Sequence, residues 1–153
     1  MTVVASACAL ALPAVAYGRT LTLTAQLKNY GGDGAYLAAY LTDAKGAYVR
    51  TLWVAGGKAK YYKHLSDWHR LSAADGKRLD GVTGASVGAG RTLQVTAELA
   101  DALIDAGYEI RLDAAAEDMR DSPSEVRMPL SSQNAGKPQA GRQYIQAVSF
   151  QLK

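Results

Sequence analysis

Polar and apolar residues alternate strictly from Thr20 to Leu27, with β-branched threonine at three of the polar positions. A period of two sends neighbouring side chains to opposite faces, which predicts a strand buried on one side. The glycine-bearing cluster from Asn29 to Gly34 then turns the chain, because glycine reaches positive φ without a steric penalty. Tyr36–Thr42 and Tyr48–Val54 are predicted strands, joined through Asp43-Ala44-Lys45-Gly46 as a hairpin. Arg91–Leu99 alternates again, and Gly107–Asp113 does so after a turn at Asp105-Ala106-Gly107. Glu125–Leu130 is a weaker strand, and Tyr144–Leu152 closes the chain. Leu99–Ile104 also fits one helical turn. About seven short strands with turn signals between them predict an all-β, immunoglobulin-like β-sandwich.

Three segments depart from this rhythm. Tyr61, Leu65 and Trp68 recur at i, i+4 and i+7 within Lys60–Arg70, the spacing of a short amphipathic helix. A long loop from Ser72 to Gly90 follows it. At the other end, residues 3–16 are apolar and uncharged and finish in Ala14-Val15-Ala16. That is the shape of a secretory signal peptide (residues 1–16) with a small-x-small cleavage site, although no Lys or Arg precedes the apolar run. Removal would leave residues 17–153 as a single sandwich domain in an extracytoplasmic or periplasmic compartment.

Composition narrows the function classes. A chain of 153 residues, 48% of them hydrophobic, suits one domain with a genuine core and argues against wholesale disorder. No apolar run reaches the ~18–20 residues of a spanning helix. One cysteine, Cys8, excludes an internal disulfide framework and a zinc site built from several thiolates. A net charge of +3 is too small to argue nucleic-acid binding. His64 and His69 are five residues apart, the wrong spacing for two ligands on one helical face, so no metal is predicted. No Ser-His-Asp order, phosphate-binding loop or catalytic carboxylate pair stands out, and a free-standing enzyme is not predicted.

Asp80-Gly81-Val82-Thr83-Gly84-Ala85-Ser86 is the string that carries chemistry. Small residues allow a bulky group to approach the backbone, and successive exposed N–H groups can form an anion-binding nest. The same residues also suit a plain turn in which Thr83 and Ser86 cap backbone groups. The full string resembles the flavinylation motif of covalent-FMN proteins, Asp-Gly-x-Ser/Thr-Gly-Ala-Ser/Thr, and all six specified positions match. Average residue usage makes such a match by chance on the order of 10⁻⁴ for a chain of this length. The resemblance implies that a flavin transferase esterifies Ser86, the final hydroxyl, with FMN. Thr83 would then support the loop unesterified, with Asp80, Gly81, Gly84 and Ala85 completing the motif. Related proteins more often end the motif in Thr.

A second resemblance covers most of the mature chain. The hairpin ending in Val49-Arg50-Thr51-Leu52-Trp53-Val54, then Trp68-His69-Arg70, the motif loop and Asp105-Ala106-Gly107-Tyr108-Glu109-Ile110-Arg111-Leu112 occur in that order. This order resembles the predicted periplasmic proteins of domain of unknown function 2271. The resemblance implies an immunoglobulin-like sandwich and a membrane-bound reductase partner of the PepSY type.

With FMN in view, the charge distribution acquires meaning. Lys58, Lys60, Lys63, Arg70, Lys77 and Arg78 face Asp67, Asp75 and Asp80 between Lys58 and Asp80, so the whole excess of +3 lies just upstream of the motif. Arg70 and its neighbours would then assist a phosphate, or else form a solvated face. Tyr61, Tyr62 and Trp68 would stack on the flavin ring or fill the core. Two functions remain open: an exported electron carrier with FMN on Ser86, or a cofactor-free sandwich module that binds a partner.

Overall fold

The computed structural model describes residues 18–75 and 79–153. The predicted signal segment and the cations Lys77 and Arg78 lie outside the described residues. The alternation at Thr20–Leu27 becomes strand β1 (Gly18–Leu27), whose Leu21, Leu23, Ala25 and Leu27 are buried. Strands β2 (Tyr36–Thr42) and β3 (Tyr48–Ala55) form the expected hairpin. Its turn is pinned by the Asp43 carboxylate, which accepts the Lys45 and Ala47 amides, and Gly46 takes φ +81°. After the helical segment and a two-residue strand β4 (Thr83–Gly84) come β5 (Thr92–Ala100), β6 (Glu109–Ala115), β7 (Ser122–Pro129) and β8 (Ile145–Leu152). The helical turn after Leu99 is present as a short 3₁₀ turn at Asp101–Leu103.

These strands make two sheets, ordered β5-β1-β8 and β4-β3-β2-β6-β7, with only the β3–β4 pairing parallel. In immunoglobulin lettering, β5-β1-β8 takes the E-B-A places and β3-β2-β6-β7 the C′-C-F-G places. The C-terminal strand thus stands where that fold keeps its first strand. The all-β sandwich expected from the alternation is the observed architecture. Leu21, Leu23, Leu37, Leu41, Ile110, Leu112, Val148 and Phe150 pack between the sheets.

The five-stranded sheet is covered on its outer face as well. β2 is buried on both sides, which is why its sequence reads as a continuous apolar run and does not alternate. Leu37, Ala39 and Leu41 enter the inter-sheet core, while Ala38 and Tyr40 pack with Val54 under Tyr62, Leu65 and Trp68. The predicted helix at Lys60–Arg70 is in fact two pieces, a 3₁₀ helix (Ala59–His64) and helix α1 (Ser66–Leu71), broken at Leu65 with ψ +68°. Near three residues per turn, positions 62, 65 and 68 share one face. Tyr62 is therefore buried in place of Tyr61, which is left 38% exposed.

Two buried carboxylates tie elements together. Asp113 on β6 accepts hydrogen bonds from the Tyr40 hydroxyl (2.9 Å), the Trp68 amide (2.7 Å) and the Ser124 amide (2.8 Å). Burial pushes its carboxyl above the usual value, and those amides pull it back. Glu125 on β7 accepts the amides of Gln143, Tyr144 and Ile145 at 2.6–2.8 Å, joining the two sheets where β8 begins.

Candidate functional site

The motif string is held at both ends by backbone. On one side Val82 and Gly84 carbonyls accept the Val54 and Gly56 amides, so Thr83–Gly84 adds to β3 as an edge strand. On the other, Ala35 and Val87 exchange two hydrogen bonds of 2.7 and 2.9 Å in an isolated antiparallel bridge. Ala35 and Val87 are buried in the core between the sheets. Alternation then sends their neighbours Gly34, Tyr36 and Ser86 to the opposite side.

That side is a cavity of about 790 Å³, within the range of cofactor pockets. Ser86 lines it, together with Gly34 and Tyr36 from the β1–β2 loop and β2, and Tyr61 and His64 from the 3₁₀ helix. Ser86 is exposed, and among the described residues no hydrogen bond engages its hydroxyl. A Cβ on Gly34 would stand 2.7 Å from the Ser86 Oγ, so the glycine keeps the space around the hydroxyl open. This opening beside an unengaged hydroxyl fits a phosphoester at Ser86.

The other motif residues divide by role. Gly81 adopts φ +75° in the turn, a conformation that favours glycine. Gly84 lies against the Trp53 indole, where a Cβ would stand 2.6 Å from the ring. Both glycines thus have backbone and packing reasons of their own. Asp80, Thr83 and Ala85 are exposed on the loop and do not line the cavity.

Two other predicted site residues stand apart. Trp68 is fully buried, its indole N–H donating to the Thr51 hydroxyl at 2.9 Å, and it serves the core under α1. Arg70 is exposed and pairs with Asp67 at 3.2 Å. Of the cations upstream of the motif, Lys58 is the one among the described residues that lines the cavity. Lys60 lies 5.0 Å from the Tyr61 ring centroid.

The cavity wall is instead rich in carboxylates. Glu117, Asp118 and Asp121 come from the β6–β7 loop, with Asp33 beside the glycine cluster. Asp121 pairs with His64 at 3.1 Å. These residues are far from the motif in sequence, and only the β2–β6 pairing brings their loop to it. Gly34 and Tyr36 had one readable signal, the glycine cluster that precedes β2.

A family model described as a predicted periplasmic protein (DUF2271) matches residues 18–147. No curated protein and no solved structure gives a match.

Proposed function

The chain belongs to the DUF2271 family of predicted periplasmic proteins, and from that premise we propose that it is an exported electron carrier with FMN attached through a phosphoester to Ser86. The observation that carries this reading is the unengaged Ser86 hydroxyl, the last position of a complete flavinylation motif, opening into a cofactor-sized cavity. Among the described residues no helix is long and apolar enough to cross a membrane. A tethered flavin suits an exported protein, since the cofactor cannot be lost by dissociation.

In the attachment step the Ser86 oxygen forms a bond to the phosphorus of an activated flavin nucleotide, a phosphoric anhydride presented by a flavin transferase. The anhydride P–O bond breaks, its nucleotide half leaves, and the serine proton is released to base. Gly34 leaves room for the approach, and the paired backbone at Thr83–Gly84 and Val87 holds Ser86 on a rigid stem. When bound, the flavin supplies one- and two-electron redox chemistry, and the protein supplies attachment and orientation. Among the described residues Lys58 is the lysine or arginine that lines the cavity, and the surrounding carboxylates disfavour negative charge on a reduced ring. Electron exchange with a membrane-bound PepSY-type reductase and an extracytoplasmic acceptor belongs to the same proposal.

A second reading, a cofactor-free binding module, draws on Gly81 and Gly84, whose conformation and packing require no flavin. Intact mass separates the two. Protein exported together with a flavin transferase gains the mass of FMN less one water under the first reading, and Ser86→Thr keeps that gain while Ser86→Ala loses it. Covalent flavin persisting on Ser86→Ala would overturn the site, and an unmodified wild type would favour the binding module.

A further inference from the structure

Beside Ser86 and the carboxylates, the cavity wall carries aromatic rings. Tyr36 and Tyr61 are the phenol rings that line it. Tyr36 is held from several sides. Its hydroxyl accepts the Lys58 amide at 3.0 Å, and its ring meets Tyr62 edge-on at 6.1 Å. Gly56, at φ +145°, passes so close that a Cβ there would stand 2.4 Å from the Tyr36 ring. A side chain at position 56 is therefore excluded by both backbone and packing.

Tyr61 rests edge-on against this fixed ring, with centroids 6.0 Å apart and planes at 82°. The Lys60 ammonium, which does not line the cavity, lies over the Tyr61 ring at 5.0 Å from its centroid. The break at Leu65 turns Tyr61 away from the buried face and Tyr62 onto it. Tyr61 and Val49 are the large apolar side chains left exposed among the described residues, and Tyr61 alone of the two faces the cavity.

We propose that Tyr61, braced by Tyr36, is the stacking platform for the isoalloxazine ring of the attached flavin. The inference rests on the reading of Ser86 as the attachment point. Alternation about the Ala35–Val87 bridge supports the geometry: it sends Gly34, Tyr36 and Ser86 to one side, so a phosphoester on Ser86 starts in the cavity that the aromatic pair lines. The ribityl chain carries the ring onward from that point. Planar π systems favour offset or edge contacts with such rings, and an exposed phenol on a braced backing meets that need at low entropic cost.

The test compares wild type, Tyr61→Leu and Tyr61→Trp, each exported alongside a flavin transferase. Intact mass is measured first and flavin fluorescence per attached flavin second. A phenol or indole stacked on isoalloxazine quenches its emission by electron donation to the excited ring, and an aliphatic side chain does not. The expected result is equal attachment in all three proteins, emission several-fold higher in Tyr61→Leu, and emission as low as wild type in Tyr61→Trp. Equal attachment with emission unchanged in Tyr61→Leu would overturn the platform while leaving Ser86 as the site. An unmodified wild type would overturn the attachment reading, and the platform with it.

Discussion

Gly34 and Ser86 meet as a pair that neither segment announces alone. The space that a Cβ on Gly34 would fill lies 2.7 Å from the Ser86 Oγ and 3.2 Å from its Cβ. Gly34 does not sit in the left-handed region, so a larger residue there is permitted by the backbone. Gly34→Ala, whose one added carbon meets a hydroxyl able to rotate aside, is therefore expected to lower the urea midpoint only slightly while slowing flavin attachment by about tenfold or more, through misplacement of the hydroxyl. Intact mass over a time course checks it. Gly84→Val should behave in the opposite way, since its Cβ meets a large indole packed on the core. Overpacking there is expected to cost about 1–3 kcal/mol, read as a lowered urea midpoint. The motif thus contains residues of two kinds. Sequence alone shows all seven positions together, and cannot separate Gly84, which packs on Trp53, from Ser86, which opens into the cavity.

At the scale of elements, the helical cap depends on Asp113. Its carboxylate joins β6 to β2 through Tyr40, to α1 through the Trp68 amide and to β7 through the Ser124 amide. Asp113→Asn keeps one oxygen for Tyr40 and Ser124 but sets an amide N–H₂ against the Trp68 N–H. The expected loss is about 1–3 kcal/mol from the donor left without an acceptor. Burial raises the Asp113 pKa above its ordinary 3.8, so across the interval above that value the native state binds a proton that the unfolded chain has released. This group's contribution to stability therefore falls as pH rises from 3.8 through the raised pKa. Urea unfolding across that interval should show the slope in wild type and a reduced slope in Asp113→Asn. The cap also shows where periodicity misleads. A continuous α-helix would have buried Tyr61, Leu65 and Trp68, whereas the 3₁₀ stretch buries Tyr62 and gives Tyr61 to the cavity.

For the whole molecule, Glu125 is a buried polar link between the sheets. It accepts three consecutive amides at the start of β8, and Gly141 passes so near that a Cβ would stand 3.1 Å from its Oε2. Glu125→Gln replaces one acceptor oxygen with a donor facing an N–H. A cost of about 1–3 kcal/mol is expected, seen as a lower urea midpoint with an unchanged slope.

Much of the fold is determined by sequence alone, because strand formation has a local signature. Strict alternation at Thr20–Leu27 and turn chemistry at Asp43–Gly46 are sufficient to place β1 and the β2–β3 hairpin. The candidate attachment residue is equally legible, since its motif is contiguous. The environment of Ser86 is a different matter. The basic stretch upstream of the motif reads as a cationic approach, yet Asp33, Glu117, Asp118 and Asp121 reach the cavity from other loops, and of that stretch's lysines and arginines only Lys58 joins them among the described residues. Which side chains share a cavity depends on strand pairing across long separations, as in Ala35 with Val87 and β2 with β6. Local pattern records which residues prefer a strand or a turn. Only the packed sheets decide which charges and rings those strands bring together.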